Sequence, residues 1–195
     1  MKILFDFKPE LDPIEIISKY YTPGSKLFDI VVNHGQQVAK KALDTADRVS
    51  HINCDRNFIK EAAMLHDIGI FLTDSPKIGC FGKHSYVSHG YLGRELLEKN
   101  GMPKHGLVCE RHVGLGITKE EIIFHNLPLP ERDMCPVSIE EQIICYADKF
   151  FSKNGKLNSR EKPVKKVIKR LEKYGHDKVL RFQSWVDLFN GKSDR

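Results

Sequence analysis

Apolar residues recur three and four positions apart through most of the chain, and strictly alternating stretches are almost absent, so the pattern predicts helices joined by loops. Asp12-Pro13-Ile14-Glu15 opens the first helix with a cap residue, a first-turn proline and a carboxylate, and the helix reaches about Tyr20, before Thr22-Pro23-Gly24. A second helix runs from near Ser25 to about Asp44. Its stripe of Leu27, Ile30, Val31, Val38 and Ala42 carries His34 on or beside the buried face. Asp55 caps a third helix that ends at His66-Asp67 and is stopped by Gly69, where a glycine can take a left-handed cap. Thr73 to Lys83 reads as a loop, with Asp74-Ser75-Pro76 and two glycines.

Val87, Tyr91, Leu92 and Leu96 form the stripe of a fourth helix ending at Asn100-Gly101, and a further helix follows Pro103 as far as His112. Thr118–Glu121 and Ser138–Glu141 are capping boxes, the second opening an apolar helix that carries Asp148. Leu127–Asp133, with two prolines, cannot be helical. From about 159 to 190 the chain is a basic amphipathic helix or helical pair. Val164, Val167, Ile168, Leu171 and Tyr174 turn inward, and Lys165, Lys166, Lys169, Arg170 and Lys173 outward. The expectation is an all-α bundle, one domain over residues 1–195 with its core in about 25–155.

Composition adds limits. At 41% hydrophobic and 29% charged residues the chain has the make-up of a soluble globular protein. No run of 18 apolar residues would cross a membrane. The patch at Met1–Phe7 lacks a long apolar core and a small-residue cleavage site, which leaves the cytoplasm as the default location. Five scattered cysteines without a C-x-x-C pair read as reduced thiols. A net charge of +5 slightly favours an anionic substrate. The basic helix carries no aromatic platform, so it reads as a solvated face rather than a nucleic-acid site.

His66-Asp67 alone means little, since His176-Asp177 repeats the pair in a stretch that reads as a solvated turn. Its context separates it. His89 and His112 also sit where a helix meets glycines, and Asp148 is embedded among apolar residues where an unpaired carboxylate would be costly. Six candidate ligands result: His34, His66, Asp67, His89, His112 and Asp148. Mixed imidazole and carboxylate donors suit Mn, Fe, Co, Ni or Zn, and six are too many for one tetrahedral ion. Two ions about 3.5–4 Å apart, sharing a carboxylate, fit the set.

The order His34, His66-Asp67, Asp148, with HDIG at His66–Gly69 and YADK at Tyr146–Lys149, resembles the HD-domain superfamily of metal-dependent phosphohydrolases over roughly residues 25–155. HGYLG at His89 and RHVGLG at His112 resemble the binuclear subgroup that includes the YqeK-type dinucleoside tetraphosphate hydrolases. The cyclic-di-GMP phosphodiesterase subclass shares HDIG, but its elements after His112 are missing. The resemblance implies an all-α HD-domain bundle that cleaves a nucleotide or related phosphoester with a metal-activated hydroxide. It implies that Asp67 bridges the ions, that His34, His66 and Asp148 complete one shell, and that His89 and His112 hold the second ion. Lys83, Arg111, Arg132 and Lys149 are then candidates for neutralising phosphate charge, with His84 as leaving-group acid or phosphate contact. Two alternatives stay open: a di-iron oxygenase on the same fold, and a regulatory domain that binds metal or nucleotide without turnover. The loops at about 71–88 and 125–137 carry no legible phosphate motif, and a homodimer is left open.

Overall fold

The computed structural model describes residues 11–153 and 160–190 of the chain. Met1–Phe7 and Ser159, which entered the expectations above, lie outside the described residues. Nine helices dominate among the described residues: α1 (Pro13–Ser18), α2 (Lys26–Arg48), α3 (Arg56–Leu65), α4 (His89–Lys99), α5 (Pro103–Arg111), α6 (Lys119–Phe124), α7 (Ile139–Asp148), α8 (Val164–Leu171) and α9 (His176–Phe189). The all-α expectation holds. No helix of the described residues is long and apolar enough to cross a membrane.

The predicted caps account for most helix starts. Asp12, Ser25, Asp55, Thr118 and Ser138 each accept a backbone N–H of the first turn through the side chain. Thr118 and Glu121 complete a reciprocal box. Ser138 does only half of one, because Glu141 turns away to Arg111 and to the Val137 N–H. The second helix runs past Asp44 to Arg48. No breaker follows Asp44, and Thr45 satisfies its hydroxyl within the helix by donating to Lys41 O, 2.7 Å away.

The α2 helix packs on α3 and α7, and α4 lies along α5. Val38, Ala42, Ile59, Leu65, Ile143 and Ile144 meet in one buried cluster. The α9 helix closes that core with Phe182 and Phe189, whose rings lie 5.4 and 5.1 Å from Tyr146. Truncating an aromatic as enclosed as Phe182 typically costs about 3–5 kcal/mol. Residues 160–190 therefore form a helical pair, with Val167 and Leu171 turned in and Lys165, Lys166, Lys169 and Lys173 out, while Lys178 is buried and donates to Gly116 O and Glu121 Oε2. Tyr174 departs from expectation. The helix tightens to a 3-10 turn over Glu172–Tyr174, which swings that ring into solvent at 64% exposure.

Two further corrections bear on the site. The 73–83 loop folds into a small hairpin, β1 (Asp74–Ser75) against β2 (Cys80–Phe81), whose strands are too short to leave an alternating pattern. Gly69 is not a left-handed cap: its φ is −82° and ψ −2°. The residue is glycine because α4 crosses there. A Cβ on Gly69 would lie 2.3 Å from His89 O and 2.5 Å from Gly93 N.

Candidate metal centre

All six candidate ligands converge, delivered by five helices. His34 comes from the middle of α2. His66 is the C-cap residue of α3 with Asp67 next to it, His89 begins α4, His112 is the C-cap residue of α5, and Asp148 ends α7. Each is at least nine-tenths buried.

Helix ends supply both the positions and the orientation. The last turn of a helix leaves carbonyls without an internal partner. His66 Nδ1 lies 2.6 Å from Ala63 O, His89 Nδ1 2.6 Å from Tyr86 O, and His112 Nδ1 2.7 Å from Cys109 O, each ring reaching the carbonyl three residues back. A carbonyl only accepts, so Nδ1 carries a proton in all three rings and Nε2 is the atom turned toward the cluster to ligate. His34 lacks such an anchor; its Nδ1 is buried with no hydrogen-bond partner among the described residues, and its Nε2 lies 2.9 Å from Asp148 Oδ1.

The donor atoms fall into two sets that meet at Asp67. Its Oδ2 lies 3.3 Å from His34 Nε2 and 3.3 Å from His66 Nε2, while Asp148 Oδ1 stands 2.9 and 3.6 Å from the same two nitrogens. Its Oδ1 lies 3.3 Å from His89 Nε2 and 3.4 Å from His112 Nε2, which are 3.2 Å apart. Ligands bound about 2.0–2.2 Å from a shared ion stand about 3–3.5 Å from one another. His34, His66 and Asp67 on one side, and Asp67, His89 and His112 on the other, can therefore each hold an ion. Among the described residues, Asp67 Oδ1 and His66 Nε2 are buried polar atoms without a hydrogen-bond partner, as fits donors meant for a cation.

Electrostatics keep the set ligand-ready. Burial opposes the charged form of Asp67, but His66 and Lys153 outweigh it and hold the carboxyl well below the usual range. Asp148 is likewise held down, by Lys149 and Lys153 against its burial. Burial, aided by Lys153, pushes His34 down to about 4, and burial pushes His112 down to about 3. His66 moves the other way. Burial works against its proton, but Asp67 and Asp148 together carry it up to about 9.

Around the donors, Tyr21 donates its hydroxyl to Ile68 O at 2.8 Å and accepts from the Phe71 N–H at 3.2 Å, bracing the turn after Asp67. The proposed cations behave differently from one another. Lys149 touches the cluster, donating to Asp148 Oδ2 at 2.7 Å and to His112 O at 3.1 Å. Arg111 is clamped on both oxygens of Glu141 at 2.9 and 3.0 Å. Arg132 bonds the buried Glu110, which Arg94 also holds at 2.6 Å. Lys83 and His84 are exposed at the foot of the hairpin.

The sequence reading missed Lys153. It lies beyond α7, yet returns to place Nζ 2.5 Å from Asp67 Oδ2. Tyr86, also missed, sits with its ring 4.7 Å from that of His89. A lysine after Phe150-Phe151-Ser152 in a stretch without helical periodicity gives no sequence signal.

The family model described as HD domain matches residues 31–152. Over 156 residues the chain is 33% identical to the tRNA (cytidine(56)-2'-O)-methyltransferase of Picrophilus torridus, a match spanning 80% of this chain but only 40% of that enzyme. An uncharacterized protein of Methanocaldococcus jannaschii, MJ0778, is 32% identical over 146 residues, 73% of this chain and 76% of that one. Among solved structures, the HD domain of the Listeria monocytogenes phosphodiesterase PgpH in complex with cyclic-di-AMP superposes with a TM-score of 0.52 at 15% identity, covering 91% of this chain and 95% of that one. At that identity the likeness concerns the fold.

Proposed function

The chain belongs to the HD domain family, and from that premise we propose that it is a metal-dependent phosphohydrolase acting on a nucleotide or a related phosphoester. One observation carries the reading: the two oxygens of a single buried carboxylate, Asp67, face separate sets of imidazole nitrogens. In this assignment Asp67 would contribute to the sites of two divalent ions, with His34, His66 and Asp148 serving one and His89 and His112 the other. Bound there, such ions supply positive charge for the phosphoryl oxygens and an acidified water as nucleophile.

The chain's own groups do the rest. Backbone carbonyls fix the rings of His66, His89 and His112, so little reorganisation is left for the reaction. Lys149, held by Asp148 and the His112 carbonyl at the less buried edge, is placed to meet a phosphoryl oxygen. Lys83 and His84 are exposed and free to approach a leaving group. Arg111 and Arg132 reach substrate only by releasing Glu141 and Glu110, so their nearer contribution is to orient α5 and the 127–133 segment.

The methyl transfer named for the Picrophilus relative belongs to a protein of which this chain spans 40%. From that name we take only that tRNA belongs in the substrate panel. The phosphodiesterase fold match, with its cyclic-di-AMP complex, puts cyclic dinucleotides there too. A dinucleoside tetraphosphate, the substrate of the YqeK-type subgroup, completes it. The test is metal content of the purified protein together with hydrolysis products from this panel under Mn2+, resolved by chromatography, for wild type and Asp67→Ala. Bound transition metal and activity lost in the variant are expected. A metal-free protein, or a variant as active as wild type, would sink the assignment.

A further inference from the structure

Lys153 Nζ lies 2.5 Å from Asp67 Oδ2, 3.4 Å from His34 Nε2 and 4.0 Å from Asp148 Oδ1, the three atoms assigned above to one ion. Its side chain is only 12% exposed, and the Tyr86 hydroxyl is a further hydrogen-bonding neighbour. An ammonium and a divalent cation cannot both have that carboxylate oxygen at close range, because like charges repel strongly where water is scarce. Once displaced, the ammonium needs another anion, since an unpaired buried charge is costly. Among the described residues the neighbours do not offer one. Asp148 Oδ2 already accepts from Lys149, and the Tyr86 phenol is held neutral, pushed by burial up to about 12. A substrate phosphate at the ions would bring the missing negative charge within reach of the same side chain.

We propose that Lys153 is a tethered counter-cation that holds Asp67 until an ion takes its place and then turns to the phosphate of the substrate, so that metal loading and phosphate binding are coupled through this one residue. The proposal rests on the metal-centre reading above and adds a partner exchange to it. Linkage makes the coupling reciprocal: phosphate strengthens metal binding by the factor with which metal strengthens phosphate binding.

The test is calorimetric titration of the full metal-free chain with Mn2+, with and without inorganic phosphate, for wild type and Lys153→Met. In wild type, phosphate should tighten Mn2+ binding about tenfold or more, an ordinary size for a coupling. In Lys153→Met, Mn2+ alone should bind about tenfold tighter than to wild type, and most of the phosphate effect should vanish. Because the variant removes one of the two cations that hold Asp67 in the metal-free state, its melting temperature should fall without Mn2+ and recover with it. Lys153→Gln, which keeps a polar end but no charge, should bind Mn2+ like the methionine variant if the latter proves too unstable. Equal Mn2+ affinity in wild type and both variants, or an unchanged phosphate effect, overturns the proposal and leaves the metal centre standing. Failure of every protein to take Mn2+, even with phosphate, overturns both.

Discussion

Replacing Gly69 with alanine should dismantle one half of the centre and spare the other. The added Cβ would sit 2.3 Å from His89 O and 2.5 Å from Gly93 N, both backbone atoms of α4, whereas ordinary contact begins at 3.4 Å. The start of α4 must then retreat from the turn after Asp67 by about 1.1 Å, the difference 3.4 − 2.3. His89 leads that helix and moves with it. A metal site tolerates about ±0.2 Å in ligand distance, so the move takes His89 out of range of an ion held by Asp67 and His112. His34, His66 and Asp148 come from α2, α3 and α7 and keep their places. Overpacking typically costs about 1–3 kcal/mol, and the upper end applies where no flexible side chain can yield. For a chain of this size about 3 kcal/mol lowers the melting temperature by roughly 6–12 °C. The assay is differential scanning calorimetry beside elemental analysis of metal per chain. We expect a lower melting temperature and a drop from two ions to one. Two ions retained at an unchanged melting temperature would refute the close-approach argument.

Tyr21→Phe leaves Ile68 O and the Phe71 N–H without their partner, and should cost about 1–3 kcal/mol of stability in thermal or denaturant unfolding; no loss would mean that the brace is not needed. Because Asp67 and Asp148 carry His66 up to about 9, the metal-free protein at pH 7.5 holds a proton that a cation must expel. Mn2+ titrations in buffers of different ionisation heat should report about one proton released per chain, and none released would contradict the assignment. The metal-free protein should also lose stability as pH falls from about 6.5 toward 4. His34 and His112 have folded values near 4 and 3, below the unfolded 6.5, so the unfolded chain gains protons first. The His66 contribution has the opposite sense: it is fully present below 6.5 and lost as pH rises toward 9, which places the optimum near 6.5. Melting temperatures across pH 4–9 in chelator check both flanks, and a profile still rising above 7 would refute the second.

Much of this was legible because helix ends leave strong local marks. Asp55, Thr118 and Ser138 announced helices that the structure contains, and the apolar run Ala62–Leu65 placed His66-Asp67 at a buried terminus. His176-Asp177 has no such run before it, and both residues are exposed on the first turn of α9. What stayed hidden depends on contacts distant in sequence. The reason for Gly69 lies on α4, twenty or more residues away. Lys153 acts on Asp67 across 86 residues. The pairing of Arg111 with Glu141 and of Arg132 with Glu110 could not be read from charge alone, and it decides which cations are free to move.

The two oxygens of Asp67 are not equivalent before any ion arrives. Oδ1 faces His89 and His112 with no hydrogen-bond partner among the described residues, while Oδ2 is already engaged by the ammonium of Lys153 and lies beside a protonated His66. Two ions would therefore settle in sequence, the first on the unobstructed side and the second only after a cation and a proton have been evicted. Chemistry that requires both would then respond to metal supply with a threshold rather than in proportion. Scarcity would silence the protein long before it stripped it.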